Sequence, residues 1–251
     1  AANTDVRLSA SRPLEHAAIG VLGSLNVLHA AAAEGVRKVV FASSGGAIYG
    51  DQASLPASES EQPRPNSVYG ASKLAVEGYL QAYLANGGLD HTVLRLPNVY
   101  GPRQRGDGRG GVVSVFASGM LADRTCAIHG DGGQERDFLY VSDCVAAIEA
   151  VLGAAGGGCT FNLGWGRGVS IRESFDMLAS LCGDDRPAVY APARPGEVYR
   201  SALDAGRARG DLGWRPVVTL EEGLDSTLAW FEERRSVSWP VRPRPRGGCL
   251  A

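Results

Sequence analysis

Residues 37–46 read Arg-Lys-Val-Val-Phe-Ala-Ser-Ser-Gly-Gly. The apolar run within this stretch is short and uninterrupted, which is typical of a strand buried on both faces of a parallel sheet. The serines and glycines after it predict a loop over residues 43–46, at the carboxyl end of that strand. Ligands of open parallel sheets bind outside the carboxyl ends of the strands. The stretch therefore indicates both a fold and the position of a site.

Helices and strands alternate around this stretch. Apolar residues recur at helical spacing over residues 13–33 and 67–86, and residues 92–96 form a second short apolar strand. This order predicts an α/β fold, a partial Rossmann-like parallel sheet with crossover helices on both faces. Residues 97–103 follow the second strand, so we expect them at the same sheet edge as the serine-glycine stretch.

The second part of the chain predicts a smaller domain of mixed elements. We expect helices at residues 112–122, 141–153, 170–182 and 220–235, and short strands at 126–129 and 160–163. We assign residues 1–102 to the Rossmann-like domain, with residues 134–165 returning to it. Residues 103–133 and 166–235 would form a small mixed α/β substrate-binding domain.

The composition excludes several classes of protein. The chain has 251 residues, 44% hydrophobic and 21% charged, with a net charge of −2, which gives no sign of a nucleic-acid partner. We expect no signal peptide and no membrane-spanning helix, because no apolar run reaches about 18 residues. The five cysteines and four histidines are scattered, which argues against disulfides and a metal site and favours the cytoplasm. Residues 236–251 alternate proline and arginine and are expected to be a disordered tail.

Tyr69 and Lys73 lie four residues apart on a predicted helix, so both side chains lie on one face. Only Lys38 and Lys73 are lysines among the 25 basic residues, which singles out this pair. A tyrosine with a pKa of about 10 becomes a base near pH 7 only if its phenolate is stabilised by roughly 4 kcal/mol. A lysine ammonium could contribute to that. The alternative is a surface tyrosine stacked on a lysine stem, and the spacing alone does not decide between the two.

Four stretches carry a family resemblance. They read Phe-Ala-Ser-Ser-Gly-Gly-Ala-Ile-Tyr-Gly at 41–50, Ser-Val-Tyr-Gly-Ala-Ser-Lys at 67–73, Leu-Arg-Leu-Pro-Asn-Val-Tyr-Gly-Pro-Arg at 94–103 and Gly-Asp-Gly-Gly-Gln-Glu-Arg-Asp-Phe at 130–138. In this order they resemble the NAD-dependent epimerase/dehydratase family of extended short-chain dehydrogenases, and within it the UDP-glucose 4-epimerases. The resemblance extends from the first residue to about residue 233.

The resemblance implies roles at the predicted sheet edge. Tyr69 would be the catalytic base, aided by a cationic nicotinamide ring, and Lys73 would orient the nicotinamide ribose. The family usually places a serine or threonine four residues before the tyrosine of a Val-Tyr-Gly triplet, where this sequence has Gly45. We therefore assign the hydroxyl to Ser44, with Ser43 as the second choice. Alternatively, both serines only satisfy backbone groups at the end of a strand.

By the same resemblance the cofactor is NAD. The residues expected to bind it are Ala1, Ala2, Ser43, Tyr69, Lys73 and Pro97. Dinucleotide binding normally begins with a strand, a glycine-rich turn and a helix, and the sequence contains no such segment. Residues 1–5 resemble the loop after the family's fourth strand, so we expect roughly three strand–helix units to be missing from the N-terminus. The chain would then be a fragment of a longer product or a natural chain without the adenosine-binding half. Gly20 also stands where relatives have an asparagine.

Two positions distinguish the reactions of the family. Its 4,6-dehydratases carry an Asp-Glu pair where this sequence has Gly46 and Ala47, and elimination of water needs such ionisable groups. Oxidation at C4, rotation of the keto sugar and re-reduction need none. The sequence therefore favours an NAD-dependent epimerase, first of all one that interconverts UDP-glucose and UDP-galactose. There are two alternatives. The protein could be another nucleotide-sugar epimerase or reductase, or it could be an inactive remnant that binds sugar nucleotides.

The residues implied to bind the nucleotide sugar are Asn98, Arg136, Arg194 and Glu197. The two arginines would bind the diphosphate, and Glu197 would lie near the nucleotide ribose. Arg136 could instead pair with Asp137 or Asp143, and the loop that carries Arg194 could be only solvated.

The resemblance also implies a homodimer. Its interface would be built from the helices predicted at residues 13–33 and 67–86. We expect no nucleic acid and no membrane among the partners.

Overall fold

The computed structural model describes residues 6–51, 54–107, 110–194 and 197–236. The expected cofactor contacts of Ala1 and Ala2 lie outside these ranges, as does the expected disordered tail from residue 237 onward. Ser236, assigned above to that tail, is the last residue of a helix.

The first part of the chain forms helices and the first strands of a sheet. Its elements are α1 (Val6–Ser11), α2 (Pro13–Ala17), the π-helical turn π1 (Ala18–Leu22), α3 (Gly23–Ala33), β1 (Lys38–Ser44), α4 (Gly45–Tyr49), α5 (Val68–Gly87), β2 (Asp90–Leu96) and β3 (Asn98–Tyr100). The predicted helices and strands of this part are confirmed, with ends that differ by at most two residues.

The second part contains many short elements. They are α6 (Val112–Leu121), β4 (Ala127–His129), β5 (Glu135–Arg136), β6 (Phe138–Tyr140), α7 (Val141–Val151), β7 (Cys159–Asn162), β8 (Val169–Ser170), α8 (Ile171–Cys182), β9 (Val189–Ala191), β10 (Arg200–Ser201), α9 (Gly206–Leu212) and α10 (Leu220–Ser236). The four helices and two strands predicted here are confirmed. The other strands were not predicted, because two or three residues are too few to show a period.

The main sheet is parallel, as predicted, with the strand order β1-β2-β7. Its register pairs Ser44 of β1 with Leu96 of β2, and Arg95 of β2 with Asn162 of β7. The carboxyl ends of β1 and β2 therefore meet at one edge. Smaller sheets with the orders β10-β5-β8, β3-β6 and β4-β9 lie outside it.

The loop predicted over residues 43–46 is wrong in detail. Ser43 and Ser44 continue β1, because their backbones still pair with Arg95 and Leu96 of β2. Gly45 then begins α4, so the chain turns from strand to helix without an intervening loop. This abrupt turn places the side chain of Ser44 at the point where the sheet ends.

The buried apolar side chains form separate clusters. Leu94, Leu139 and Phe161 belong to the cluster under the main sheet and α7. Phe116 and Phe175 belong to the cluster among α6, α8 and α10, with their rings at 89° and 5.4 Å apart. The boundaries of the two predicted domains stay a prediction.

α2, π1 and α3 follow one another without a break and are here called the apolar helix (Pro13–Ala33). By length and composition this helix could span a membrane, so the expectation that no segment meets that criterion was wrong. Its many alanines raise the mean hydropathy, while interspersed polar residues and glycines break up the apolar run. One face contacts α5, while Leu14, Leu22 and Val27 are 86%, 58% and 60% exposed.

Candidate active site

A cap and a glycine position the start of α5. The hydroxyl oxygen of Ser67, the N-cap residue, accepts a hydrogen bond of 3.1 Å from the N–H of Gly70. A Cβ on Gly70 would collide with the carbonyl oxygen of Ala47 in α4, so only glycine permits this close approach. The N–H of Tyr69 donates to Oγ of Ser9 at 3.2 Å. The first turn of α5 is thereby fixed beside the end of β1.

The hydroxyl of Tyr69 lies close to the side chain of Ser44, the last residue of β1. Burial raises the pKa of Tyr69 above its usual value, and the hydroxyl of Ser44 opposes this rise without cancelling it. The ammonium nitrogen of Lys73 lies 5.9 Å from the Tyr69 ring centroid. The expected lowering of the pKa of Tyr69 by that ammonium is therefore not seen, and a phenolate needs a further positive charge nearby.

Lys73 lies one helical turn after Tyr69 and reaches the neighbouring strand. Its Nζ donates to the carbonyl oxygen of Ala42 at 2.7 Å and lies 4.7 Å from the centroid of the Phe41 ring. Burial lowers the pKa of Lys73, and the charge of Glu77 opposes that change. An ammonium has three donors, so the bond to Ala42 leaves two for another ligand. The alternative of a surface tyrosine stacked on a lysine stem does not match these contacts.

Ser43 does not share the position of Ser44. Its buried hydroxyl donates to Oε1 of Glu77 at 2.6 Å. Successive side chains of a strand lie on opposite faces, so only one of two neighbouring serines can reach Tyr69. Ser43 thus binds Glu77, and its expected catalytic or cofactor-binding role stays a prediction.

The departure at Gly45 has a packing reason. A Cβ on Gly45 would collide with the side chain of Leu203, which is 1% exposed. A Cβ on Gly46 would lie 2.8 Å from Oγ of Ser201. The segment after β10 therefore packs directly on the first turn of α4, and residues with a side chain do not fit there without a shift.

Gly45→Ser should lower the free energy of unfolding by about 1–3 kcal/mol, because the added atoms overpack the contact with Leu203. Urea unfolding measures the change. Gly78→Ser is the matched control, since a Cβ on Gly78 of α5 meets no atom within 4 Å. In a Leu203→Ala background the space is already open, so Gly45→Ser should there lower the free energy of unfolding by less than it does in the wild type. Equal stability of the two serine variants would show that the packing is not as described.

Arg136 is bound by Glu197. Its Nη2 donates to Oε1 of Glu197 at 2.8 Å, and its Nη1 donates to the carbonyl oxygens of Glu135 and Tyr199. Burial lowers the pKa of Arg136, and the charge of Glu197 opposes this change. The structure thus brings together two of the predicted substrate residues.

The aspartates considered as alternative partners of Arg136 have other contacts. Asp137 is fully buried and its carboxylate accepts hydrogen bonds from the N–H groups of Trp165, Gly166 and Leu203. Burial raises the pKa of Asp137 to about 6, although these donors oppose the rise. Asp143 accepts from the backbone N–H groups of residues 217 and 218. Both aspartates therefore stabilise loops through backbone hydrogen bonds, and neither forms the ion pair with Arg136.

A pocket of about 260 Å³ lies beside this ion pair. Its lining residues are Gly130, Asp131, Gln134, Ala193, Arg194, Glu197 and Tyr199. The sequence analysis missed the role of Tyr199, whose hydroxyl donates to Oδ2 of Asp131 at 2.9 Å. Residues 130–134 belong to one of the stretches quoted above, so that motif was the available signal for this wall of the pocket.

Pro97 and Asn98 follow β2 at the sheet edge where β1 ends. The N–H of Asn98 donates to the carbonyl oxygen of Asp137 at 2.9 Å, and its side chain is half-buried. Gly20 lies in π1 against α5, where an added Cβ would lie 3.7 Å from Cβ of Ser72, an ordinary contact. Packing therefore does not explain why glycine stands at this position.

The end of β1 fits the nicotinamide end of a dinucleotide. It offers the hydroxyls of Ser44 and Tyr69 and the remaining donors of Lys73 within one small region. Within the described ranges, β1 is the first strand, and no glycine-rich turn between a strand and a helix precedes it. The described residues thus fit the nicotinamide half, and the residues for the other half are not among them.

A Rossmann-like parallel sheet with a serine, a tyrosine and a lysine at its carboxyl edge defines a class of cofactor-dependent α/β enzymes. The model of the NAD dependent epimerase/dehydratase family matches residues 1–164. This is more than half of the chain, so the chain belongs to that family of NAD-dependent enzymes.

The proteins to which this chain is similar include several UDP-glucose 4-epimerases. The UDP-glucose 4-epimerase of Mycolicibacterium smegmatis is 42% identical over 93% of this chain and 75% of its own length. The crystal structure of UDP-glucose 4-epimerase from Thermotoga maritima with UDP-glucose superposes with a TM-score of 0.92 at 41% identity, over 94% of this chain and 76% of the other. The Thermus thermophilus enzyme in complex with NAD gives a TM-score of 0.86 at 38% identity, over 92% and 76%. The predicted family and fold are confirmed.

Proposed function

We propose that this protein is an NAD-dependent UDP-sugar 4-epimerase that interconverts UDP-glucose and UDP-galactose. The observation that carries the proposal is the arrangement of Ser44, Tyr69 and Lys73 at the carboxyl edge of a parallel sheet. The similarity to named UDP-glucose 4-epimerases supports the choice of substrate.

Each of the three residues has a definite task in this proposal. As a phenolate, Tyr69 would take the proton of the sugar 4-hydroxyl while hydride leaves C4 for the cofactor, and as a phenol it would return that proton when hydride comes back; Ser44 would orient the 4-hydroxyl. Lys73 remains on the carbonyl oxygen of Ala42 and uses its other donors for the nicotinamide ribose. NAD, when bound, supplies the oxidation and re-reduction of C4 and a positive charge near the phenol. Such a charge offsets the burial that raises the pKa of Tyr69.

The nucleotide part of the substrate is assigned to the pocket beside Arg136. Arg136 and Arg194 would bind the diphosphate as charged donors, and Glu197 would lie near the ribose. Because Glu197 holds Arg136, the diphosphate must share that guanidinium with it or displace it. Asn98, which follows β2 at the sheet edge where β1 ends, is proposed to contact the sugar.

Gly46 and Ala47 support epimerisation over dehydration. Neither residue carries an ionisable group, and a side chain at Gly46 would press against Ser201. The general acid and base that elimination of water requires thus have no place in this turn.

Conversion of UDP-galactose to UDP-glucose in the presence of NAD tests the proposed function. We expect UDP-glucose to form and the reaction to stop at an equilibrium reached from either side. If only another nucleotide sugar were turned over, the proposed substrate would be wrong. A product that has lost water would identify a dehydratase. Binding of UDP-sugars without turnover would leave only an inactive binding protein.

We propose that the protein acts as a homodimer in the cytoplasm, and that the apolar helix and α5 form the interface. The exposed side chains of Leu14, Leu22, Val27 and Tyr79 support an interface there, since a large exposed apolar patch needs a partner. The division into a Rossmann-like and a substrate-binding domain is part of the same proposal.

Leu22→Glu combined with Val27→Glu should raise the dimer dissociation constant at least about 100-fold, because two carboxylates are then buried without partners. Sedimentation velocity measures the change. Leu152→Glu is the control, because Leu152 is also exposed, at 64%, but lies at the C-terminal end of α7, outside the proposed interface. A double variant that still sediments as a dimer would contradict this interface. If the wild-type protein instead co-sedimented with lipid vesicles, the apolar helix would be assigned to a membrane.

A further inference from the structure

Three residues of α5 contact three successive residues of β1. The hydroxyl of Tyr69 lies beside Ser44, Lys73 donates to the carbonyl oxygen of Ala42, and Glu77 accepts from Oγ of Ser43. The helix residues are four apart, so they lie along one face of α5. The proposed function uses the first two and leaves the third without a task.

Glu77 also forms a buried ion pair. Nη2 of Arg95 in β2 donates to Oε2 of Glu77 at 2.6 Å, and Nε of Arg95 lies 3.2 and 3.3 Å from the two carboxylate oxygens. Both side chains are only 8% exposed. The remaining nitrogen of Arg95, Nη1, donates to the hydroxyl of Tyr49 at 2.6 Å.

The network continues to the third strand. Tyr49 of α4 donates to Oδ1 of Asn162 at 3.0 Å, and Nδ2 of Asn162 donates to the carbonyl oxygen of Ala57. Asn162 belongs to β7, so polar side chains connect α5, α4 and all three strands of the main sheet. A chain of satisfied buried hydrogen bonds specifies one arrangement of the elements it joins.

Stability alone does not account for such a pair. Removing two charges from water costs several kcal/mol, and apolar residues of similar volume often replace a buried ion pair without loss of stability. The carboxylate of Glu77 lies one turn beyond Lys73 on the same helix and interacts with its charge. The pair therefore has a consequence for Lys73 that apolar residues could not reproduce.

We propose that Glu77, held by Arg95, is a positioning residue that fixes α5, and with it Lys73, on the end of β1. It touches neither substrate nor cofactor and acts through Ser43 and Lys73. Its importance for catalysis rests on the proposed function, whereas the effect on Lys73 can be tested without it.

The surroundings of Lys73 support this assignment. From α5 it meets Tyr69 and Glu77, and from β1 the ring of Phe41 and the carbonyl group of Ala42. Behind Glu77 lies the charge of Arg95. The imidazole of His16 in the apolar helix packs edge to face with the Tyr69 ring, with the two ring centroids 5.9 Å apart. Among these groups, Glu77 is the carboxylate that counteracts the burial of Lys73, whose pKa falls when that carboxylate is removed.

The two lysines of this chain permit a direct experiment. Protein labelled with ¹³C at lysine Cε gives two resonances, one from Lys73 and one from Lys38. Lys38 serves as an internal reference, because its Nζ lies 3.8 Å from Asp90 at the other end of β1. The midpoint of each resonance in a pH titration reports the pKa of that lysine.

The variants are Glu77→Gln and the double variant Glu77→Gln/Arg95→Gln, which avoids an unpaired buried arginine if the single variant fails to fold. We expect the midpoint of Lys73 to fall in Glu77→Gln, with that of Lys38 unchanged. The fall should be smaller in the double variant, because that variant also removes the positive charge of Arg95. Glu34→Gln, at an exposed position after α3, should change neither midpoint. An unchanged midpoint for Lys73 in a folded double variant would overturn the proposal.

Activity provides a separate reading. In a folded variant the alkaline limb of the pH–rate profile should move to lower pH, as a loss of stability alone would not cause. If the wild type shows no epimerase activity, the proposed function fails while the titration still decides the role of Glu77. If activity is present and the alkaline limb does not move, the positioning role fails.

Discussion

Tyr69→Phe should lower the turnover number for conversion of UDP-galactose to UDP-glucose by at least about 100-fold, the lower end of what a general acid–base group contributes. Phenylalanine keeps the ring and its edge contact with His16 at 5.9 Å. It removes only the hydroxyl that lies beside Ser44. KM for the nucleotide sugar should change little, because Tyr69 does not line the pocket that is proposed to bind the diphosphate.

The matched control for this variant is Tyr79→Phe. Tyr79 lies on the same helix but is 43% exposed, and it has no task in the proposed reaction. Both variants should retain the far-UV spectrum and thermal unfolding of the wild type to within a few degrees. Wild-type turnover in Tyr69→Phe would assign the proton transfer to another group.

Lys73→Arg should lower kcat/KM by about 100-fold, since a misplacement of about 1 Å at a reacting centre has effects of this size. The compact ammonium of Lys73 fits between the Phe41 ring and the carbonyl oxygen of Ala42. A planar guanidinium is larger and donates in a fixed fork, so it cannot keep that bond and reach the ribose from the same position. The loss should be accompanied by weaker NAD binding, measured by calorimetry.

Lys38→Arg is the control, because Lys38 is the other lysine of the chain. Its ammonium binds the carbonyl oxygens of Gly153 and Ala155 beyond α7, at the opposite end of β1 from Ser44. This variant should lose stability and retain kcat/KM. If Lys73→Arg behaved in the same way, the ammonium of Lys73 would have only a structural role.

The sequence could predict what depends on short-range patterns. The apolar run before Ser43 indicated a strand, which is confirmed, although the expectation that it is buried is wrong, since residues 38–42 are half-buried or exposed. The spacing of Tyr69 and Lys73 placed both on one face of α5, and that helix is confirmed. The arrangement of Tyr69 beside Ser44 could be anticipated from the motifs, since parallel strands place their carboxyl ends at one edge. The catalytic roles remain a prediction.

Contacts between distant parts of the chain could not be predicted. Leu203 packs on Gly45, more than 150 positions away in the sequence, and no local sequence pattern predicts this contact. The same applies to the pairing of Arg136 with Glu197, which competed with nearer aspartates. Whether Ser43 or Ser44 faces Tyr69 depends on where β1 ends, and a shift of one residue exchanges the two.

A crystal structure of the protein with NAD and UDP-glucose tests the central claim most directly. The distance to measure is that between Oη of Tyr69 and the oxygen of the 4-hydroxyl of glucose. We predict about 2.6–3.2 Å, with Ser44 on the same hydroxyl and Lys73 on the nicotinamide ribose. A 4-hydroxyl bound by other groups, with Oη of Tyr69 contacting only protein atoms, would contradict the account.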